Sequence, residues 1–224
     1  MSNIDDEFHR NIEKSYENYD FVFFNPSRKN LDPNRPDYKG NEKFLKAFKL
    51  FLNKYPNVKV RLVLGMHGKH VNQFLNLVHQ LELIKYCDFI EHLPLPKLHA
   101  YMSLKNTIVF DQFRQSSWES GHLGGIQREA LSLGSVLVTA KNVGSENFLS
   151  IYGKNCPLFP ALSVEDIAKA MEEVVNCSKN ELRIIQEHAK GWAYKYLHWE
   201  NRIDHLIDIL EAVLAESRAR KSNR

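Results

Sequence analysis

GHLGGIQREALSLGSVLVTA, residues 121–140, joins a helix-like segment to a strand-like one, and it decides the predicted fold. Gly124 and Gly125 precede the helix-like segment, and Gly134 closes it, as glycines commonly do after a helix. The apolar run that follows has the composition of a strand buried on both faces. A helix that leads directly into such a strand is one unit of a chain that alternates between the two elements.

The rest of the chain repeats this alternation of apolar, strand-like runs and amphipathic, helix-like segments. We predict strands at 19–25, 58–65, 87–93, 106–113 and 135–140, a short strand within 153–160, and further helices at 41–55, 68–83, 95–104, 163–176 and 179–217. The alternation predicts an α/β fold, a doubly wound, mainly parallel sheet of the Rossmann-like kind. We expect 1–18 to be a helical lead-in, 19–217 one domain, and 218–224 a basic disordered tail.

The composition is that of an ordinary soluble globular protein, with 43% hydrophobic and 25% charged residues in 224. The three cysteines, Cys87, Cys156 and Cys177, are odd in number and lack metal-ligand spacing, so we expect reduced thiols in a cytosolic protein. The polar, acidic N-terminus does not resemble a signal peptide, and no apolar run is long enough to span a membrane. A net charge of +3 is small for a nucleic-acid-binding protein, so we expect no nucleic acid partner.

Candidate ligand-binding residues follow the predicted strands, because ligands of such folds bind at the carboxyl ends of the strands. Arg28 follows the first strand, and Lys39 precedes Gly40 at the start of a helix. With the helix-start amides near Gly124 and Gly125, these two cations suit a diphosphate. The alternative is that both cations are ordinary surface residues and that the glycines only form a tight turn.

Three further candidate side chains stand at or near these strand ends. His67 is expected to line the cleft, and it forms no metal site with His70 because no carboxylate or cysteine stands at ligand spacing. His122 lies in the glycine loop, where it either touches the ligand or is a spectator. Glu129, one helical turn beyond the glycines, can reach the hydroxyls of a ribose beside the diphosphate; the alternative is a solvated helix residue.

These features in this order resemble the C-terminal, donor-binding domain of the GT-B glycosyltransferases of group 1, also called family 4. The resemblance covers about residues 19–215 and is most specific at REALSLGSVLVTA, residues 128–140, with Arg28 and Lys39-Gly40 in support. It implies a domain that binds a nucleoside diphosphate sugar and transfers a hexosyl-type sugar with retention and without a metal. Glu129 then holds the ribose, His92 lies where the base is met, and Arg28 and Lys39 act on the departing diphosphate.

The sequence departs from the pattern of that family at two places. The family has a glutamate eight residues before the position of Glu129, where this chain has Gly121, so the sugar contact is expected from Asp111 in FDQF, residues 110–113. The chain also has no segment that can form the N-terminal, acceptor-binding domain, so we expect a partner that supplies it. The alternatives are a non-catalytic GT-B-like domain that binds a nucleotide or a partner, and a nucleotide-sugar epimerase. The basic tail allows at most peripheral contact with a membrane.

Overall fold

The protein is an α/β domain built on one fully parallel sheet. The computed structural model describes residues 5–114, 123–140, 155–203, 207–208 and 210–215. The strands are β1 (Phe21–Asn25), β2 (Val60–Gly65), β3 (Cys87–Ile90), β4 (Thr107–Asp111), β5 (Val136–Thr139) and β6 (Phe159–Pro160). Their order across the sheet is β3-β2-β1-β4-β5-β6, and every neighbouring pair is parallel. The predicted doubly wound parallel sheet is confirmed.

Helices precede or follow each strand and cover both faces of the sheet. They are α1 (Asp6–Tyr16), α2 (Asn41–Lys54), α3 (Val71–Gln80), α4 (Leu95–Met102), α5 (Gly125–Leu133), α6 (Val164–Asn176) and α7 (Lys179–Leu197). Short 3-10 turns occupy Ile84–Tyr86 and Trp199–Arg202. Within the described residues, no helix is both long and apolar enough to cross a membrane.

The core consists of two apolar layers, one on each face of the sheet. Alternate strand residues point to opposite faces, so Phe23 contributes to one layer while Val22 and Phe24 contribute to the other. The first layer packs beneath α2, α3 and α6, and the second beneath α1, α4, α5 and α7. Ile12 and Tyr16 of α1 are buried in the second layer. The N-terminal helix therefore packs onto the same core as the elements that follow it.

Local side-chain bonds set several helix ends. Ser163 and Asp166 form a capping box at the start of α6, with two reciprocal bonds of 3.0 Å. Ser178 and Glu181 form a second box at the start of α7. The predicted helical region over 179–217 is not continuous, because α7 ends at Leu197 and a 3-10 turn follows the extended residue His198.

Candidate donor-binding site

A cleft of about 450 Å³ opens at the carboxyl ends of the central strands. It lies between the ends of β1 and β4, where the order of the strands reverses, and this is the usual ligand position in doubly wound sheets. The start of α5 and the segment after β3 form its other sides. The lining residues include Ser27, Arg28, Asp37, Lys39, Gly65, His67, His92, Asp111, Gly124 and Gly125. The cleft therefore collects seven of the nine residues that the sequence marks as candidate site residues.

The two predicted phosphate-binding cations both line this cleft. Arg28 has a side chain 59% exposed, and its guanidinium lies 3.8 Å from the carboxylate of Asp37. Lys39 Nζ donates a 2.9 Å hydrogen bond to Oε1 of Gln112. Both side chains are thus oriented by polar neighbours and remain at the wall of the cleft, where a bound anion can contact them.

The first turn of α5 forms one side of the cleft. Gly124 precedes the helix, and its N–H donates to Oε1 of Gln127 at 2.8 Å, while Gln127 Nε2 donates to Thr139 Oγ1 at 2.7 Å. Gln127 therefore fastens the helix start to the end of β5. The amides of a first helical turn have no partner within the helix and favour an anion. The glycines leave this backbone accessible, because they have no side chain to cover it.

His67 and His92 meet at the ends of β2 and β3. Their rings are perpendicular, with centroids 5.2 Å apart. Burial lowers the pKa of His67, and the nearby charges of Lys29, His92 and Arg28 lower it further. His67 is therefore a neutral imidazole at pH 7, and its buried Nδ1 has no hydrogen-bond partner among the described residues. A neutral ring with a free nitrogen can bond a ligand without adding charge to the cleft.

Asp111 lies at the end of β4 and is 3% exposed. Its Oδ1 accepts a hydrogen bond from the hydroxyl of Ser27. Asp111 is one of the residues that line the cleft. The sequence-based assignment of a sugar contact to Asp111 stays a prediction.

Glu129 is the described candidate that does not line the cleft. It lies in a neighbouring groove between α4, α5 and α7, where its Oε2 is 3.7 Å from Nε2 of His99. Gly125 borders both the groove and the cleft, and a Cβ added there would lie 4.0 Å from Oε1 of Glu129. The carboxylate therefore lies beside Gly125, in a groove that borders the cleft. His122, the other candidate, lies outside the described residues.

Sequence reasoning missed Lys29, which directly follows Arg28 and is fully buried. Its Nζ donates to oxygens of Asn25 and Ser27 at the end of β1. A lysine within a polar loop ordinarily points to solvent, so the sequence gives no sign that Lys29 is buried.

The described residues contain no cluster of three or more His, Cys, Asp or Glu that can hold a metal ion.

Comparison with solved structures shows the same fold in glycosyltransferases. A glycosyltransferase from Rickettsia africae ESF-5 has a TM-score of 0.66 and 14% identity, and the match covers 95% of this chain and 53% of that chain. The Anabaena protein HepE, in complex with UDP and glucose, has a TM-score of 0.67 and 15% identity, with 93% and 53% covered. The C-terminal domain of a group 1 protein, LpcC from Francisella tularensis, has a TM-score of 0.55 and 17% identity, with 78% and 85% covered.

The chain spans about half the length of the first two of these structures, and at such identities the likeness shows the fold alone. No curated protein sequence matches the chain. The family described as Glycosyl transferases group 1 matches residues 7–192, which is most of the chain. This match confirms the resemblance that the sequence motifs indicate, and the chain belongs to the group 1 glycosyl transferases.

Proposed function

We propose that the chain is the donor-binding part of a glycosyltransferase and binds a nucleoside diphosphate sugar in the cleft. The observation that carries this proposal is the meeting of Arg28, Lys39 and the start of α5 at one cleft. A planar guanidinium, an ammonium and helix-start amides are complementary to the oxygens of a diphosphate. HepE, which shares the fold, has been solved with UDP and glucose, and this agrees with the proposed class of ligand.

The same groups suit the chemistry of sugar transfer. Negative charge grows on the diphosphate as its bond to the sugar breaks, and fixed donors at that position stabilise the transition state. Arg28, Lys39 and the amides beside Gly124 and Gly125 supply this stabilisation from the protein itself. We therefore expect transfer of a hexosyl-type sugar without a divalent metal, and with retention of the anomeric configuration. Asp111 is the proposed contact to the sugar.

The nucleoside part of the donor extends along the two sides of the cleft. A ribose beside the diphosphate can reach the carboxylate of Glu129 past Gly125, because that residue borders both spaces. Oε2 of Glu129 is buried without a hydrogen-bond partner among the described residues, so a ribose hydroxyl would satisfy it. His67 and His92 face the cleft from the β2 and β3 side, where the base would lie.

The acceptor requires a further domain, since the chain spans about half of the similar solved structures. We propose that this domain comes from a longer protein or from a partner chain. The three free thiols suit a cytoplasmic location, with at most peripheral contact with a membrane. We expect the sugar to be transferred to a glycan or to a lipid-linked acceptor.

A second candidate is a non-catalytic domain that binds a nucleotide or a partner protein. Gly121 favours it, since the family has a glutamate at this position. The two candidates differ in one observable: a donor-binding part transfers sugar once an acceptor-binding domain is supplied, and a non-catalytic domain does not.

Calorimetric titration with UDP, GDP and ADP in EDTA tests whether the cleft binds a nucleoside diphosphate without a metal. We expect at least one nucleotide to bind, and Arg28→Gln or Lys39→Gln to weaken it about tenfold or more, since a hydrogen bond to a charged group contributes about 1.5–3 kcal/mol. Lys46→Gln, which removes an exposed charge from α2, is the matched control and should leave the affinity unchanged. Absence of binding by all three nucleotides at millimolar concentration would contradict the proposal.

A further inference from the structure

Lys29 holds a buried positive group directly behind the donor cleft. Its Nζ donates to the carbonyl oxygen of Asn25 at 3.2 Å, to Oδ1 of Asn25 at 2.5 Å and to the carbonyl oxygen of Ser27 at 2.8 Å. An ammonium has three donors and no acceptor, so these three oxygens match its protonated form. A neutral amine would leave one of the three oxygens without a hydrogen bond.

The hydrogen-bond partners of this ammonium are neutral. The ring of Phe74 also lies near Nζ, with its centroid 4.7 Å away. The negative group that attracts Lys29 is Asp111, and its Oδ1 accepts from Ser27. Burial lowers the pKa of Lys29 to about 7, although the attraction of Asp111 opposes that shift. Burial therefore weakens the hold of Lys29 on its proton, while the three accepting oxygens and Asp111 favour the charged form.

Charged or titratable groups lie around Lys29 on several elements. Asp111 stands at the end of β4, and His67 follows β2, where its backbone carbonyl accepts from the backbone N–H of Lys29 at 2.8 Å. The backbone N–H of His70, before α3, donates to the backbone carbonyl of Lys29 at 2.9 Å, and Arg28 is the preceding residue. Asp111 attracts a proton on Lys29, whereas Arg28 and a protonated His67 repel it.

The cleft lies immediately in front of this group. Ser27, Arg28, His67 and Asp111 all line the cleft, and Ser27 bonds Lys29 through its carbonyl. A diphosphate in the cleft brings at least two negative charges close to Nζ through a protein interior that screens charge poorly. Such an anion favours the charged form of Lys29, so its pKa rises when the ligand binds.

We propose that Lys29 is a positioning residue of the donor cleft, which fixes the turn that carries Arg28 and takes up a proton when a nucleoside diphosphate binds. The proton comes from the solvent buffer and forms the third N–H of the ammonium, so no other reactant is needed. Lys29 does not touch the ligand; it acts through the carbonyls of Asn25 and Ser27 and through its charge. The inference rests on the proposed function, because it requires an anion in this cleft.

Proton uptake can be measured by titrating UDP into the protein in two buffers of different ionisation enthalpy, such as PIPES and Tris. GDP or ADP replaces UDP if only that nucleotide binds. At pH 8 a group with a pKa near 7 is mostly neutral before binding, so we expect wild type to take up a larger fraction of a proton than Lys29→Met. At pH 6 the difference should disappear, because Lys29 is already charged.

Two controls separate Lys29 from other sources of protons. Protonation of the nucleotide itself is the same for both proteins and cancels in the difference. His67 also titrates beside the cleft, so the comparison is repeated in His67→Gln, where the difference due to Lys29 should persist. Equal uptake by wild type and Lys29→Met at pH 8 would overturn the inference while leaving the donor function intact. Failure of every nucleotide to bind would contradict both.

A measurement on the wild-type protein serves if Lys29→Met does not fold. In protein labelled with ¹³C at lysine Cε, one lysine signal should titrate near neutral pH and move to higher pH when UDP is added. If every lysine titrates above about pH 9, near its ordinary value, the inference is wrong.

Discussion

Glu129 lies beside the proposed diphosphate position and yet outside the cleft that contains it. Its side chain is 31% exposed, and His99 Nε2 stands 3.7 Å from its Oε2. The buried oxygen has no hydrogen-bond partner among the described residues, which is costly for a carboxylate. A ribose hydroxyl reaching past Gly125 would supply the missing donor. The ribose role of Glu129 therefore depends on where the ligand extends from the diphosphate.

Replacing Glu129 by Gln tests this role, because it keeps the shape and removes the charge. A hydrogen bond to a charged group contributes about 1.5–3 kcal/mol, so we expect the dissociation constant of the preferred nucleotide to rise about tenfold or more. Glu13→Gln, an exposed change in α1, is the control and should have no effect. An unaltered dissociation constant in a folded Glu129→Gln protein would show that Glu129 does not contact the ribose.

Residues at strand ends could be predicted from the sequence, and residues behind them could not. Arg28, Lys39 and Asp111 were placed in one cleft by a single rule about the carboxyl ends of parallel strands. That rule did not identify Lys29, because its side chain turns back toward the end of β1, where Nζ donates to the carbonyls of Asn25 and Ser27. The groove that Glu129 enters could not be predicted either, since helical spacing fixes its height along α5 but not which space its carboxylate enters.

The start of α2 and the end of β4 form the junction that places Lys39 in the cleft. Gly40 precedes α2 with a φ of +68°, a conformation that side chains disfavour. A Cβ at Gly40 would lie 2.8 Å from the carbonyl oxygen of Phe113. The N–H of Phe113 in turn donates to the carbonyl of Lys39 at 2.8 Å. The close contact of these two segments thus requires glycine at position 40.

Alanine substitutions at two glycines should change stability in opposite directions. Gly40→Ala introduces both backbone strain and a clash, so we expect a loss of about 1–3 kcal/mol in the free energy of unfolding. Gly191→Ala lies on the exposed side of α7, with nothing within 4 Å of the added carbon, and should gain about 0.5–1 kcal/mol. Urea unfolding of both variants checks the pair. A Gly40→Ala protein as stable as wild type would show that the contact between the two segments does not require glycine at position 40.

The kind and order of the elements followed from apolar periodicity, whereas some of their ends did not. Buried strands such as β1 stand out as short apolar runs, and the helix predicted over 163–176 matches α6. The break after α7 has no such signal, since no proline or glycine stands near His198. It arises where the chain takes an extended conformation at that residue and then a 3-10 turn.

On the scale of the whole molecule, the proposed ligand-binding edge lies at the reversal of strand order between β1 and β4. The sequence predicts parallel strands, but strand order depends on which strands pair across the sheet, and local patterns do not encode that pairing. The cleft at this edge is open, and the residues proposed to bind the diphosphate lie along its wall. Positioning of a second reactant can contribute roughly 7–11 kcal/mol to catalysis. In the proposed function we therefore expect rapid sugar transfer only when an acceptor-binding domain faces this edge.

The central claim, that this edge binds a nucleoside diphosphate, is tested most directly by NMR. Backbone amide shifts of ¹⁵N-labelled protein are followed while UDP, or whichever of GDP and ADP binds, is added. We expect the largest shifts at the amides of Arg28, Lys39, Gly124 and Gly125, with smaller changes along the outer helices. Saturable shifts confined to the opposite edge of the sheet, or to the groove beside α7 without the cleft residues, would contradict it.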